Sequence, residues 1–353
     1  MRSGNHTQMN ELYPLKFSPI LKDKIWGGPK LREVLHKEGA GESCGESWEI
    51  SAVQDNISVV ANGYLAGNNL QELIEVYMGD LVGDRVYERF GIEFPLLVKF
   101  IDANDNLSIQ VHPNDELAAK RHGAFGKTEM WYIVQAGRGA RLISGFNREV
   151  SRDEYLEHLE KKTLTEILNF ENAAAGDVFF IPSGRVHAIG PGILLAEIQQ
   201  TSDITYRIYD WDRVDKDGKG RELHTDLALD AIDYKHYGNY RTQYETDRNR
   251  TTQVVDCRYF TTNFLQFDRQ VEKDFSFIES FKIYMCLEGS FEMHYPDSER
   301  LIISRGESVL VPAVIRNITL TPGESAKILE IFIKDDAGQN DKPAPGEKIQ
   351  PGR

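Results

Sequence analysis

Cysteine is scarce in this chain: Cys44, Cys257 and Cys286 are the only three in 353 residues, and no two form a Cys-x-x-Cys pair. An odd, widely spaced set cannot close a disulfide framework, and it fits reduced thiols in a cytoplasmic protein. Sulfur is therefore not expected to carry metal chemistry here. Long apolar runs are missing as well. No stretch approaches the roughly 18 residues that a membrane-spanning helix needs. The opening segment MRSGNHTQMN lacks the apolar centre of a secretory leader. Nor is there an excess of positive charge, since 55 acidic residues against 41 basic ones give a net charge of −14. That balance argues against nucleic acid and anionic membranes as partners. It does not exclude a small anionic substrate, because a few local Lys and Arg side chains suffice for a positive pocket.

What is present is a chain of short apolar segments punctuated by 29 Gly and 13 Pro. Strands are predicted at Phe94–Phe100, Met130–Gln135, Val178–Pro182, Ile193–Gln199, Lys282–Cys286 and Ser308–Pro312. Short strands between turn residues indicate a sandwich, jelly roll or barrel. Asn68–Arg89 departs from this, with Leu70, Leu73, Ile74, Tyr77, Met78 and Leu81 at helical spacing. Ser151–Leu168 also reads as helical, with Ser151 as N-cap and Glu154 as its capping-box partner. A short helix is expected over Asn114–Arg121. The polar segment Asp336–Arg353 is expected to be a disordered tail.

A degenerate repeat runs through the chain. Trp131-Tyr-Ile-Val-Gln-Ala-Gly137 and Gly176-Asp-Val-Phe-Phe-Ile-Pro182 are echoed by Ile283-Tyr-Met-Cys-Leu-Glu-Gly289 and Gly306-Glu-Ser-Val-Leu-Val-Pro312. In each copy a strand ends on Gly, and a Gly–acid turn then starts a strand that ends in Pro. The interval between these glycines is 39 residues in the first copy and 17 in the second, the excess matching the helical stretch Ser151–Leu168. The Gly–(Asp/Glu)–x₄–Pro pattern resembles the second motif of the cupin superfamily, a small jelly-roll barrel. The expected architecture is mainly β: two tandem cupin barrels with helical insertions in the first. The expected divisions are a metal-binding catalytic domain at 1–245, a degenerate second barrel at 246–335 and the tail at 336–353.

Counting from the repeat's landmarks singles out two residues. His187 lies eleven residues after Gly176, where the second copy has Asn317; Glu129 lies eight before Gly137, where the second copy has Phe281. Joint loss of both in the second copy implies that they act together, as one metal site per chain in the first barrel. Gln110 and His112, at i and i+2 of a strand, share a face and can enter the same interior. Two imidazoles, a carboxylate and an amide oxygen suit Zn²⁺, with Mn²⁺, Co²⁺ and Fe²⁺ as alternatives. The other seven histidines have no such partner spacing.

Several ordered motifs then resemble type I mannose-6-phosphate isomerases: Leu107-Ser-Ile-Gln-Val-His-Pro113, Gly126-Lys-Thr-Glu-Met-Trp131, Pro182-Ser-Gly-Arg-Val-His-Ala-Ile-Gly190 and Glu197-Ile-Gln-Gln-Thr-Ser-Asp-Ile-Thr-Tyr-Arg207. Trp26-Gly-Gly28 and Gly45-Glu-Ser-Trp-Glu-Ile-Ser51 match near the family's start. The likeness runs from about Phe17 to Arg213, more weakly to Ile333, and in length resembles the short bacterial branch. It implies interconversion of mannose 6-phosphate and fructose 6-phosphate, with zinc held by residues matching Gln110, His112, Glu129 and His187, and an essential arginine at Arg207. For the proton-transfer base it favours Glu197, with Lys127 as the alternative. Lys127, two residues before Glu129, is expected on the same strand face. Lys99, Ser108 and Lys127 are candidate phosphate contacts, and Arg207 suits either the phosphate or an enediolate. Two other readings are a redox cupin such as a dioxygenase and a non-catalytic sugar-binding barrel.

Overall fold

The computed structural model describes residues 12–214, 217–295 and 299–334. The tail expected at 336–353 lies outside the described residues. Two β-barrels follow one another, as the repeat requires. The first is built from two sheets. A seven-stranded sheet has the order Arg241–Thr242, Val178–Ile181, Glu129–Ala136, Ile193–Gln200, Leu96–Ala103, Cys44–Ile50, Ile20–Asp23. A five-stranded sheet has the order Leu168–Asn172, Arg141–Phe146, His187–Ile189, Ile109–Val111, Tyr206–Tyr209.

Period-2 alternation sorts the residues of these strands between two cores. Trp131, Ile133, Ile193, Leu195 and Ile101 face inward, with Leu142 and Ile189 of the smaller sheet in the same core. Met130, Tyr132, Ala196, Ile198, Val98 and Phe100 face outward into a second core. There they meet Phe264, Ile283, Met285, Leu329 and Ile331 of the second barrel, so the larger sheet of the first barrel packs against the second barrel. The Tyr132 and Phe264 rings stack at 5.8 Å. The same alternation assigns Lys99, Glu129 and Glu197 to the inner face of the first barrel. The second barrel is an eight-stranded sheet closed around Leu265, Phe267, Tyr284, Cys286, Val309 and Ile328. Leu15–Lys16, near the start of the chain, pairs with Ser308–Val311 and so joins that second sheet.

The helical stretches are shorter than their sequence patterns. Asn68–Arg89 forms the helical segments Leu70–Val82, which is kinked at Met78 (φ +44°), and Asp84–Phe90. They part at Gly83, whose φ of +99° and 2.2 Å Cβ approach to the Glu279 carbonyl leave no room for a side chain. Asn69 and Glu72 form a reciprocal capping box at the start of the first. Ser151–Leu168 resolves into Arg152–Glu160, a 3₁₀ turn at Leu164–Glu166, and then strand from Leu168. Ser151 Oγ accepts from the Glu154 N–H, while the Glu154 carboxylate pairs with Arg148. This insertion joins the paired strands Arg141–Phe146 and Leu168–Asn172. Its second-barrel counterpart is the hairpin of Lys282–Tyr295 with Glu299–Ser304, where the paired arms end at Tyr295 and Glu299. Asn114 caps Asp115–His122, which ends at the left-handed Gly123.

Candidate metal centre

His112, one residue past the strand Ile109–Val111, converges inside the first barrel with Glu129 and His187, which begin two other strands, and the ligand atoms all lie within 4.8 Å of one another. Each is almost completely buried. His112 Nε2 lies 3.5 Å from Glu129 Oε2, and His187 Nε2 lies 3.4 Å from Glu129 Oε1. His112 Nδ1 is 2.9 Å from the Ile204 carbonyl, and His187 Nδ1 is 2.8 Å from the Arg185 carbonyl. A carbonyl can only accept, so both Nδ1 atoms carry the proton and both Nε2 lone pairs face Glu129. Burial holds the His112 imidazolium well below its ordinary range, aided by the charges of Lys127 and His187. Burial lowers His187 too, against the opposing charge of Glu129. Both rings are thus held neutral, the form that binds a metal.

The trio has lone pairs and too few donors. His112 Nε2 and both Glu129 oxygens are buried without a hydrogen-bond partner. A carboxylate in that condition carries a desolvation penalty of several kcal/mol. Lys127 Nζ approaches Glu129 Oε2 only to 3.6 Å. A divalent cation among these atoms would satisfy all three residues, so the donor set fits a metal.

Strand register places the remaining candidates. Gln110 is the Cα partner of both His187 and Arg207, so the three stand in one row across the smaller sheet. The Gln110 amide lies beside the trio, with Nε2 3.2 Å from His187 Nε2. Arg207 is half-buried and donates from Nη1 to the Glu222 carbonyl at 2.7 Å. Its Nε is buried and unpartnered. Burial and the adjacent Arg221 lower its pKa, with Asp210 opposing. Ser108 is buried just before Ile109–Val111, two residues from Gln110. Lys127 precedes the strand that begins at Glu129, so the loop rather than strand alternation brings it to the site.

Lys99 and Glu197 are not separate features. They face each other across paired strands and form a buried ion pair at 2.9 Å. Trp131 Nε1 donates to the other Glu197 oxygen at 2.8 Å. Burial opposes the Lys99 charge, but Glu197 and Glu46 outweigh it and raise the Lys99 pKa, so Lys99 stays an ammonium. Glu46, which the motif Gly45–Ser51 contains without marking it as a site residue, sits beside this pair. Burial would raise its pKa, yet Lys99 and Lys24 hold it low, and Trp48 Nε1 donates to it at 2.6 Å. The register that sets Trp48 opposite Lys99 is the signal that would have linked them. His224 was likewise passed over; its Nδ1 accepts from the Arg207 N–H at 3.2 Å.

Strand pairing gives different second-barrel counterparts from residue counting. Glu129 pairs with Ile181, five residues after Gly176; Lys282 pairs with Val311, five after Gly306. Register therefore matches Glu129 to Lys282, and Phe281, matched by counting, lies in the core between the barrels. Asn317 is exposed, whereas Ile318 points into the second core opposite Lys273. Among the described residues, the only His/Cys/Asp/Glu group with metal-ligand spacing is the one in the first barrel.

Comparisons with known proteins converge on one family. The profile of the family described as phosphomannose isomerase type I, catalytic domain, matches residues 14–160. Mannose-6-phosphate isomerase ManA of Bacillus subtilis is 41% identical over 254 residues, 70% of this chain and 78% of that protein. The mannose-6-phosphate isomerase of Streptococcus mutans is 38% identical over 249 residues, 70% of this chain and 77% of its own length. A crystal structure of the mannose 6-phosphate isomerase from Bacillus subtilis matches with a TM-score of 0.81 at 33% identity, covering 91% of this chain and 99% of that one.

Proposed function

The chain belongs to the type I phosphomannose isomerases, and from that premise we propose that it is a zinc-dependent enzyme interconverting mannose 6-phosphate and fructose 6-phosphate through a cis-enediol. The observation that carries the metal reading is the buried His112–Glu129–His187 trio with its unsatisfied lone pairs. Two imidazoles and one carboxylate are a donor set that suits zinc, and Gln110 is the proposed fourth ligand, through its amide oxygen. Residues 1–245 are read as the catalytic unit and 246–335 as the supporting barrel. Three free cysteines support a cytoplasmic setting. No described helix is long and apolar enough to cross a membrane.

The reaction moves a proton from C2 of the aldose to C1 while the carbonyl shifts from C1 to C2. A bound zinc ion would supply Lewis acidity toward the sugar oxygens as negative charge develops on them. The base that lifts the C2 proton and returns it to C1 is Glu197 or Lys127. Both Glu197 oxygens already face a donor, Lys99 Nζ at one and Trp131 Nε1 at the other, which moves weight toward Lys127. Lys99 in turn sets the position of Glu197. Arg207, with one unpartnered guanidinium N–H, is suited to the enediolate or the phosphate. Ser108 is a proposed phosphate contact.

A coupled assay for fructose 6-phosphate tests the proposal. Protein stripped by chelator should be inactive, and addition of zinc should restore turnover of mannose 6-phosphate. No product from zinc-reconstituted protein would overturn the reading.

A further inference from the structure

The second barrel contributes no group to the proposed chemistry, yet one of its side chains reaches the segment that carries Lys127. Tyr259 sits in the turn between Thr252–Asp256 and Thr261–Phe267. Its hydroxyl donates to Asp115 Oδ2 at 2.8 Å. The other oxygen, Asp115 Oδ1, accepts from the Gly126 N–H at 3.0 Å and from Gln200 Nε2 at 2.9 Å. Gln200 Oε1 then accepts from the Thr128 N–H at 2.9 Å, and the Gln200 N–H donates to the Thr128 carbonyl at 3.1 Å. Between these two fixed amides, the Lys127 N–H donates to the Pro113 carbonyl at 3.1 Å. Three consecutive backbone donors are thus tied down immediately before Glu129. The fit at Gly126 is closed: a Cβ there would lie 2.6 Å from the Asp115 nitrogen and 2.9 Å from Asp115 Oδ1.

We propose that Tyr259 is a positioning residue, through which the second barrel fixes residues 126–128 and so the placement of Lys127 in the first. The proposal rests on reading that site as the isomerase centre. Asp115 links the two barrels, and Gln200, at the end of the strand that carries Glu197, secures the same loop from the first-barrel side. Tyr259 touches neither substrate nor metal in this scheme. Its contribution is the conformation of the loop.

Tyr259→Phe keeps the ring and removes one donor, and it is tested in the metal-loaded protein. Amide hydrogen exchange at residues 126–128 should accelerate about 10-fold, the scale of one net hydrogen bond, with exchange in Lys282–Tyr295 unchanged. Turnover should fall about 5- to 20-fold, on the same scale, with KM and metal content unaltered. In the double variant with Lys127→Met, the added loss from Tyr259→Phe should vanish, because both act through one group. Unchanged exchange at 126–128 would overturn the proposal whatever the activity, and so would full multiplication of the two turnover losses. Gln200→Met breaks the same network from the other side and should accelerate the same amides. Exchange reports on the network even if the wild-type protein fails to isomerise the sugar, so the two failures are told apart.

Discussion

Glu129, Trp131 and Glu197 line one end of the first barrel, and in the second barrel the same register positions hold Lys282, Tyr284 and Glu330. The pairing of a buried carboxylate with an aromatic donor is kept: Trp131 Nε1 reaches Glu197 at 2.8 Å, and the Tyr284 hydroxyl reaches Glu330 at 2.5 Å. The charge balance is not kept. Glu330 is fully served by Asn263, Tyr284 and Lys273, the last at 2.9 Å. Where the first barrel has a carboxylate with no donor, the second has the ammonium of Lys282, over the Phe275 ring at 4.5 Å. The same scaffold therefore builds an interior with unpaired acceptors once and an interior with a surplus ammonium once. What marks a metal site here is uncompensated acceptors, and buried charge alone does not.

The strongest way to break this contrast is to remove a first-barrel acceptor. Glu129→Ala or His187→Ala should weaken metal binding by at least about 100-fold, since even outer partners of metal ligands cost 10- to 100-fold. Equilibrium dialysis reads the metal and the coupled assay the lost turnover. The retained carboxylates come next. Glu197→Gln should lower kcat by about 100-fold or more if Glu197 is the base. Glu330→Gln strips Lys273 of its partner and should cost about 3 kcal/mol in stability, leaving kcat of the folded protein intact. Urea unfolding and kcat separate the two, and a kcat loss at full stability for Glu330→Gln would erase the distinction.

A smaller effect sharpens the comparison at Lys282. Burial, helped by Arg316 and opposed by Glu330, pushes its pKa down to about 8. Below that pH the folded protein carries the ammonium at full desolvation cost. Above it the folded state sheds a proton that an unfolded lysine keeps until about pH 10.4. Lys282→Met should therefore stabilise the protein by about 1–2 kcal/mol at pH 7, with the advantage fading as pH rises from about 8 toward 10. Denaturant unfolding at pH 6.5 and 9.5 checks the trend, and activity should be unchanged.

Much of this was legible in the sequence. Gln110 and His112 two apart, and Glu129 and His187 near Gly and Pro landmarks, led to a trio that the fold does bring together. The repeat and its helical insertion could also be read, because strand–turn punctuation survives divergence. What residue counting could not carry was the phase of the strands. Register shifts fall between Leu194 and Leu195 on the strand paired with Glu129–Ala136, and between Cys286 and Glu288 in the second barrel. Each breaks the two-residue rhythm between a landmark glycine and an inward-facing position. Counting reached Phe281 and Asn317, where the inward residues are Lys282 and Ile318. The Lys99–Glu197 pair and the Tyr259–Asp115–Gln200 network were hidden for another reason. Their members are 98, 144 and 85 residues apart, and only strand pairing and barrel packing bring them together.

The central claim is one metal site, in the first barrel, and metal content per chain tests it directly. Elemental analysis of the zinc-reconstituted protein should give one equivalent, lost in Glu129→Ala and retained in Lys282→Met. Two equivalents in the wild type, or one equivalent surviving in Glu129→Ala, would contradict the account.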